Sequence, residues 1–148
     1  SVETMSKLYE LKNIAGVKDA TGDLNRVDQQ KKKMGPDFIQ LSGEDGTALD
    51  FNLRGGVGCI SVTANVAPKL CAEMHQAWRS KNINKAQEIN LKLAKLHNSL
   101  FVESSPGPVK YAASQLGLCS SETRLPLVDI NSNTKKIVTD CLKDLSLI

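Results

Sequence analysis

The sequence predicts an α/β fold in which a small parallel sheet with helical crossovers is followed by an all-helical region. Three short apolar runs alternate with helical patterns in the first part of the chain, which is typical of parallel strands joined by helices. After Val62 only helical patterns remain, so we expect two domains, residues 1–65 and residues 66–148. The three apolar runs cover residues 14–17, 38–42 and 59–62.

Each element at the start of the first domain has a local sequence signal. Apolar residues at helical spacing predict a helix over 2–11. The apolar run that ends before Lys18 predicts a strand buried on both faces. Asp23 is the expected N-cap of a helix over 24–34, which a Gly-Pro-Asp sequence then ends. The second strand is expected to stop at Gly43.

The remaining elements are predicted to be mostly helical. A short helix is expected over 45–53. Glu44 and Asp45 have the chemistry for acid–base work, but the favoured role of Asp45 is the acidic cap of the helix's first turn. A glycine-rich turn then leads into the third strand. His75 and His97 fall within the later helical patterns and are expected to be surface or packing side chains. Those later patterns cover residues 67–80, 85–100, 108–116 and 134–145.

Composition and charge exclude several classes of function. The 148 residues carry 19 basic and 16 acidic side chains, and the net charge of +3 is too small to indicate a nucleic-acid-binding protein. Aromatic residues make up 4% of the chain, too few for a surface that stacks on bases. No apolar run approaches the roughly 20 residues of a membrane span. We therefore expect neither nucleic acid nor a membrane as a partner.

The cysteines and the first residues bear on compartment and processing. None of the four cysteines is paired as C-x-x-C or lies at zinc-like spacing from a histidine, so no metal site is expected. Reduced thiols in apolar surroundings favour a cytoplasmic location. The start, SVETMSKLYE, does not resemble a signal peptide. Because it lacks an initiator methionine, we expect a chain that is processed, tagged or cut from something longer.

Three parallel strands make a poor independent sheet. Parallel strands need cover on both faces and more neighbours than three strands supply. A first strand preceded by a helix also indicates the middle of a βα series. The chain is therefore expected to be the C-terminal part of a larger α/β protein, or else to pair its open strand edges with another chain.

Lys18 is the first candidate for chemistry, because the carboxyl ends of parallel strands carry the ligand site in α/β folds. In apolar surroundings the charged form of a lysine is disfavoured, and a neutral amine attacks a carbonyl to form a Schiff base. The alternative is a solvated lysine at a strand terminus. Asp19 points to the opposite face of an extended strand and is not an expected charge partner.

Two further strand ends are expected to meet Lys18 at one pocket. Gly43 follows the second strand and either lets backbone approach a ligand closely or serves only as a tight turn. Ile60 lies toward the carboxyl end of the third strand. The glycine-rich segment 54–62 precedes a strand, whereas nucleotide-binding glycine motifs follow one, so a nucleotide ligand is disfavoured.

Four segments resemble one enzyme family. NIAGVKDATGDL at 13–24 resembles the Schiff-base lysine motif of the dihydrodipicolinate synthases, within the pyruvate-dependent class I aldolase superfamily. LSGEDGTALD at 41–50 and GGVGCISVTANVAP at 55–68 resemble the next two strand ends of that family. LHNSLFVESSPGPVKYA at 96–112 resembles its C-terminal helical segment. The form SVTANV at 61–66 favours the synthases over the sialic acid lyase branch.

The resemblance implies a fold, a reaction and a set of site residues. The implied fold is the last three βα units of a (β/α)8 TIM barrel, followed by a C-terminal helical domain. Lys18 matches the imine-forming lysine, Ile60 the residue that contacts bound pyruvate through its backbone, and Gly43 a residue near the pyruvate pocket. The implied lyase-type reaction condenses pyruvate with aspartate semialdehyde to 4-hydroxy-tetrahydrodipicolinate, in lysine and diaminopimelate biosynthesis. It implies no metal and no organic cofactor.

The resemblance also bears on the proton relay and on assembly. The family's proton relay lies upstream of the lysine motif, and Tyr9 and Tyr111 do not match it. The family is usually tetrameric, so a homo-oligomer is expected, and Leu24 and Asn25 match positions near one family subunit interface. Two alternatives stay open: another pyruvate-dependent class I aldolase that shares Lys18, and a catalytically incompetent fragment that acts only in assembly.

Overall fold

The structure is a computed structural model that describes all residues from 1 to 148. It contains seven α-helices and three β-strands. These elements divide into two compact units, Ser1–Ser61 and Val62–Ile148. This division falls four residues before the domain limit expected after residue 65, and that limit stays a prediction.

The first unit alternates helices with strands. Its three strands form one parallel sheet in the order β1-β2-β3, which confirms the predicted alternation. A 3₁₀ turn at Asp45–Thr47 precedes the third helix. The elements are α1 (Val2–Leu8), β1 (Gly16–Asp19), α2 (Asn25–Met34), β2 (Ile39–Ser42), α3 (Ala48–Leu53) and β3 (Gly58–Cys59).

One face of this sheet is buried and the other is exposed. Asp19 and Gln40 are buried, and both hydrogen-bond to α2. The residues that alternate with them, Lys18 and Ile39, are exposed. The prediction of a strand buried on both faces is therefore wrong for this chain, because its helices cover only one side of the sheet.

Several element limits differ from those predicted. β1 begins at Gly16 and includes Lys18, because the residues that pair with β2 start after the first half of the apolar run. α1 ends at Leu8, and the ring of Tyr9 packs edge-on against Phe38 with the ring centroids 4.9 Å apart. β3 is shorter than predicted, because the chain enters a 3₁₀ turn at Thr63–Asn65 soon after Ile60.

The two helix caps predicted in the first unit also differ in detail. Leu24 occupies the N-cap position of α2 without a side-chain bond. The Asp23 carboxylate still accepts a hydrogen bond from the Asn25 amide at 3.0 Å, so it supports the first turn from one residue earlier. At the 3₁₀ turn, Glu44 rather than Asp45 is the cap, and its carboxylate accepts from the Gly46 amide at 3.1 Å.

The second unit consists of four helices, as predicted. Its core is formed by fully buried side chains of α5 and α7, including Leu93, Leu96, Val138 and Leu142. His97 is a buried packing residue whose Nδ1 lies 2.7 Å from the Thr63 hydroxyl. The helices are α4 (Pro68–Arg79), α5 (Ile83–Ser99), α6 (Gly107–Gln115) and α7 (Ser132–Asp144).

Local signals account for the starts of three of these helices. Pro68 opens α4, where its missing amide proton is not needed by the helix. Asn82 and Asn131 cap α5 and α7, accepting hydrogen bonds from the amides of Lys85 and Thr134.

Two further features concern the whole chain. None of the helices in the structure combines the length and the apolarity needed to cross a bilayer. No disulfide joins any of the four cysteines.

Replacing Gly16 with alanine tests the close approach of β1 and β2. A Cβ atom at this position would lie 2.0 Å from the backbone oxygen of Ile39, which cannot move without disturbing the strand pairing. We expect Gly16→Ala to lower the free energy of unfolding by about 2 kcal/mol, as overpacking of a tight site does. Urea denaturation measures this change.

Gly46→Ala is the matched control for that substitution. The nearest atom to a Cβ there is the end of the Glu44 side chain, at 3.3 Å, which can move at little cost. An equal loss of stability in both variants would contradict the tight contact at Gly16.

Candidate active site

Lys18 lies at the third position of β1, close to the carboxyl end of the strand. Its side chain is exposed, whereas the next side chain, Asp19, is buried. Strand alternation explains the difference, because successive side chains point to opposite faces of a sheet. The amine is therefore on the open face of the sheet, and the expectation that Asp19 is not its charge partner is confirmed.

Gly43 lies against the aliphatic part of the Lys18 side chain. A Cβ atom at Gly43 would lie 2.7 Å from Cε and 3.1 Å from Cγ of Lys18, and 2.8 Å from Cβ of Ala20. These distances are shorter than van der Waals contact, so any larger residue at this position would displace the lysine. The structure thus brings together two of the three site residues that the sequence predicted, and it gives a steric reason for the glycine.

The strand pairing brings the three predicted residues to one edge of the sheet. Lys18 pairs with Leu41 of β2, and Leu41 pairs with Gly58 of β3. The amide of Gly43 donates to the Asp19 carbonyl at 2.8 Å, and the amide of Ile60 donates to the Ser42 carbonyl at 2.8 Å. Gly43 and Ile60 therefore continue the ladder just past the ends of β2 and β3, at the same edge as Lys18.

A network of hydrogen bonds behind Lys18 converges on the Asp19 carboxylate. Its Oδ1 accepts from the Thr21 amide at 3.0 Å and from the Thr21 hydroxyl at 2.6 Å. Its Oδ2 accepts from Arg26 Nε at 2.7 Å and from Gln30 Nε2 at 2.9 Å. The network ties the end of β1 to the first two turns of α2.

This network determines the ionisation of Asp19. Burial alone would raise the pKa of the Asp19 carboxyl, but the hydrogen bonds from Thr21, Arg26 and Gln30 outweigh burial and lower the pKa below its ordinary value. Asp19 is therefore ionised in the folded protein at neutral pH.

A second polar pair at the strand ends was not predicted from the sequence. The hydroxyl of Ser61 donates to the carboxylate of Asp45, which is buried. Asp45 follows β2 and Ser61 follows β3, so the pair lies at the same edge of the sheet as Gly43 and Ile60. The signal in the sequence is a carboxylate just after the second strand and a hydroxyl near the end of the predicted third strand, but the favoured role of Asp45 is a helix cap.

No group of three or more His, Cys, Asp or Glu side chains in the structure could hold a metal ion. The candidate site instead offers an exposed primary amine and backbone groups at the ends of β2 and β3. Such an arrangement can perform nucleophilic chemistry on a carbonyl compound, with the backbone orienting the ligand.

The sequence matches one family over nearly its whole length. The profile of the Dihydrodipicolinate synthetase family covers residues 1–145. A 4-hydroxy-tetrahydrodipicolinate synthase from Pelagibacter ubique is 58% identical, over 100% of this chain and 52% of the relative. One from Parvibaculum lavamentivorans is 53% identical, over 100% of this chain and 51% of the relative. The chain thus spans about half the length of the curated relatives it matches.

Solved structures agree with these sequence matches. The crystal structure of dihydrodipicolinate synthase from Aquifex aeolicus superposes with a TM-score of 0.95 at 36% identity, covering 99% of this chain and 50% of that chain. The chloride-inhibited enzyme from Acinetobacter baumannii, complexed with pyruvate, gives a TM-score of 0.94 at 40% identity, covering 100% and 51%. These matches confirm the resemblance and the fold class inferred from the sequence: the last three βα units of a (β/α)8 barrel and the helical region that follows them.

The stability of the chain is expected to fall in acid through Asp19. The folded-state pKa of Asp19 is lowered, so its stabilising effect is fully present above the unfolded-state value of about 3.8 and is lost as the pH falls through the folded-state value. We expect Asp19→Asn to lower the free energy of unfolding by about 2 kcal/mol at neutral pH. The difference from the unsubstituted chain should shrink below about pH 4.

Urea denaturation at a series of pH values measures this dependence, and Asp23→Asn is the control. The Asp23 side chain is exposed and makes one hydrogen bond to an amide, so its variant should track the unsubstituted chain. A difference between Asp19→Asn and the unsubstituted chain that does not change with pH would contradict the assignment.

Proposed function

The chain belongs to the dihydrodipicolinate synthetase family, and on that premise we propose that it is the imine-forming part of a 4-hydroxy-tetrahydrodipicolinate synthase. The proposed reaction condenses pyruvate with aspartate semialdehyde. The observation that carries the proposal is the exposed amine of Lys18, which emerges near the carboxyl end of β1 with its stem against Gly43.

Lys18 is the proposed nucleophile. Its neutral amine attacks the ketone carbon of pyruvate, and the resulting carbinolamine loses water to give an imine. The protonated imine withdraws electrons, so a proton leaves the adjacent methyl group and an enamine forms. The enamine carbon then attacks the aldehyde carbon of aspartate semialdehyde, forming the new carbon–carbon bond. General acid–base groups are needed for these proton transfers, and residues outside this chain are the proposed source of these groups.

Gly43 and Ile60 are proposed to shape the pyruvate site through their backbones. Because the Ile60 amide already donates to the Ser42 carbonyl, a backbone contact from Ile60 to the ligand would use its carbonyl oxygen. A carbonyl only accepts hydrogen bonds, so its partner would be the carbinolamine hydroxyl or the iminium N–H rather than the carboxylate of pyruvate. Gly43 supports the site by leaving room for the lysine stem.

Homo-oligomeric assembly, as a tetramer in the intact enzyme, is part of the same proposal. Asn25, which matches a family interface position, is exposed at the start of α2, and Leu24 before it is half-buried. The sheet also ends in two strands that each have one unpaired edge, β1 and β3. Light scattering on the eluate of a size-exclusion column reports the assembly state.

Borohydride trapping with pyruvate tests the role of Lys18. The chain is tested by itself and joined to the N-terminal half of the Pelagibacter ubique relative, which supplies the part of the barrel that this chain does not span. We expect reduction to fix a pyruvate-sized adduct on Lys18, identified by peptide mass analysis. Lys18→Arg should abolish the adduct, because a guanidinium group does not form the imine.

Lys12→Arg is the matched control, because Lys12 is exposed and precedes β1. It should leave the trapping unchanged. An adduct on a lysine other than Lys18, or none in the joined protein, would refute the proposed role of Lys18.

The same assay tests the steric role of Gly43. Gly43→Ala places a methyl group only 2.7 Å from Cε of Lys18, so the lysine side chain and its amine must move. Misplacement of a reacting group by about 1 Å can cost up to about 100-fold in rate, so a loss of at least about tenfold in the trapping rate is expected. Gly46→Ala serves as the control, and equal rates in the two variants would remove Gly43 from the site.

A further inference from the structure

Asp19 is a buried acid of the first unit that accepts four hydrogen bonds and that the proposed chemistry does not use. It lies on the face of β1 opposite Lys18 and does not touch the open side of the sheet. Its carboxylate nevertheless receives four donors, from Thr21, Arg26 and Gln30. A buried carboxylate whose oxygens all accept hydrogen bonds keeps the groups that donate to it in one arrangement.

The backbone of Asp19 connects this arrangement to the site. Its carbonyl accepts from the Gly43 amide at 2.8 Å, and Gly43 is the surface on which the Lys18 stem rests. One residue therefore links α2 through its side chain, β2 through its carbonyl and Lys18 through the peptide bond. A shift at Asp19 would move both the point where the lysine leaves the strand and the surface beneath it.

We propose that Asp19 is a positioning residue for imine formation: its buried carboxylate anchors the carboxyl end of β1 to α2 and so fixes Lys18 over Gly43. This inference rests on the proposed function of Lys18. Asp19 touches neither pyruvate nor the reacting atoms, and it acts only through the position of the lysine.

The choice of substitution follows from the four donors. Asparagine has the size of aspartate but offers one acceptor oxygen and one amino group in place of two acceptor oxygens. In Asp19→Asn the amino group must face either the Thr21 donors or the donors of Arg26 and Gln30. Two donors then point at each other, and the end of β1 has to shift.

The test measures borohydride trapping at a series of pyruvate concentrations in the protein joined to the Pelagibacter ubique N-terminal half. The dependence separates the saturating rate of imine formation from the half-saturating pyruvate concentration. Circular dichroism and the trapping amplitude report the folded fraction in the same samples. We expect Asp19→Asn to lower the saturating rate about tenfold, with a change below about twofold in half-saturation, because positioning acts on the chemical step.

Two further variants keep the test decisive. Arg26→Met removes one donor to Asp19 but retains the aliphatic stem, and it should lower the saturating rate by about two- to threefold. If Asp19→Asn does not fold, Arg26→Met decides the question. Asp23→Asn makes the same chemical change at an exposed acid of the same loop and should leave both constants unchanged.

The outcomes separate this inference from the proposed function. A lower amplitude with an unchanged rate per folded molecule would show that Asp19 is merely structural and would overturn the inference. A rise in half-saturation alone would overturn it too, because it would place the effect on pyruvate binding. Absence of a Lys18 adduct in the unsubstituted joined protein would refute the proposed function itself.

Discussion

The carboxylate of Asp19 is the point on which the geometry of the candidate site depends. Four donors from the 19–21 turn and from α2 converge on it, at distances from 2.6 to 3.0 Å. Burying a charge is costly unless it is paired and hydrogen-bonded, so this carboxylate is stable only in the arrangement that supplies all its donors. The end of β1 is therefore held where α2 places it.

The strand pairing extends this constraint to the other strand ends. In a parallel sheet the carboxyl ends of neighbouring strands lie at one edge, and here the amides of Gly43 and Ile60 continue the ladder past β2 and β3. Backbone hydrogen bonds thus bring Gly43 and Ile60 to the edge of the sheet at which Lys18 lies. Among the proposed site residues, Lys18 alone contributes its chemistry through a side chain.

The two faces of the sheet have different roles. The face toward α2 carries buried polar side chains, Asp19 and Gln40, that bond to the helix and fix its position. The opposite face carries Lys18 and Ile39 and is exposed in this chain. Because alternation places adjacent residues on opposite faces, one dipeptide supplies both the proposed nucleophile and the anchor of its strand.

Elements whose signals are local can be predicted from the amino-acid sequence alone. The four helices of the second unit are predicted by apolar spacing. Local groups at their starts support three of them, because Pro68 is the first residue of α4 and Asn82 and Asn131 cap α5 and α7. The lysine motif and the two strand-end motifs were also sufficient to indicate the family. Three features are visible only in the folded chain: which face of β1 is exposed, the contact between Lys18 and Gly43, and the hydrogen bond from Ser61 to Asp45. These contacts join residues on different strands and helices, and they depend on strand register and helix placement, which local periodicity does not specify.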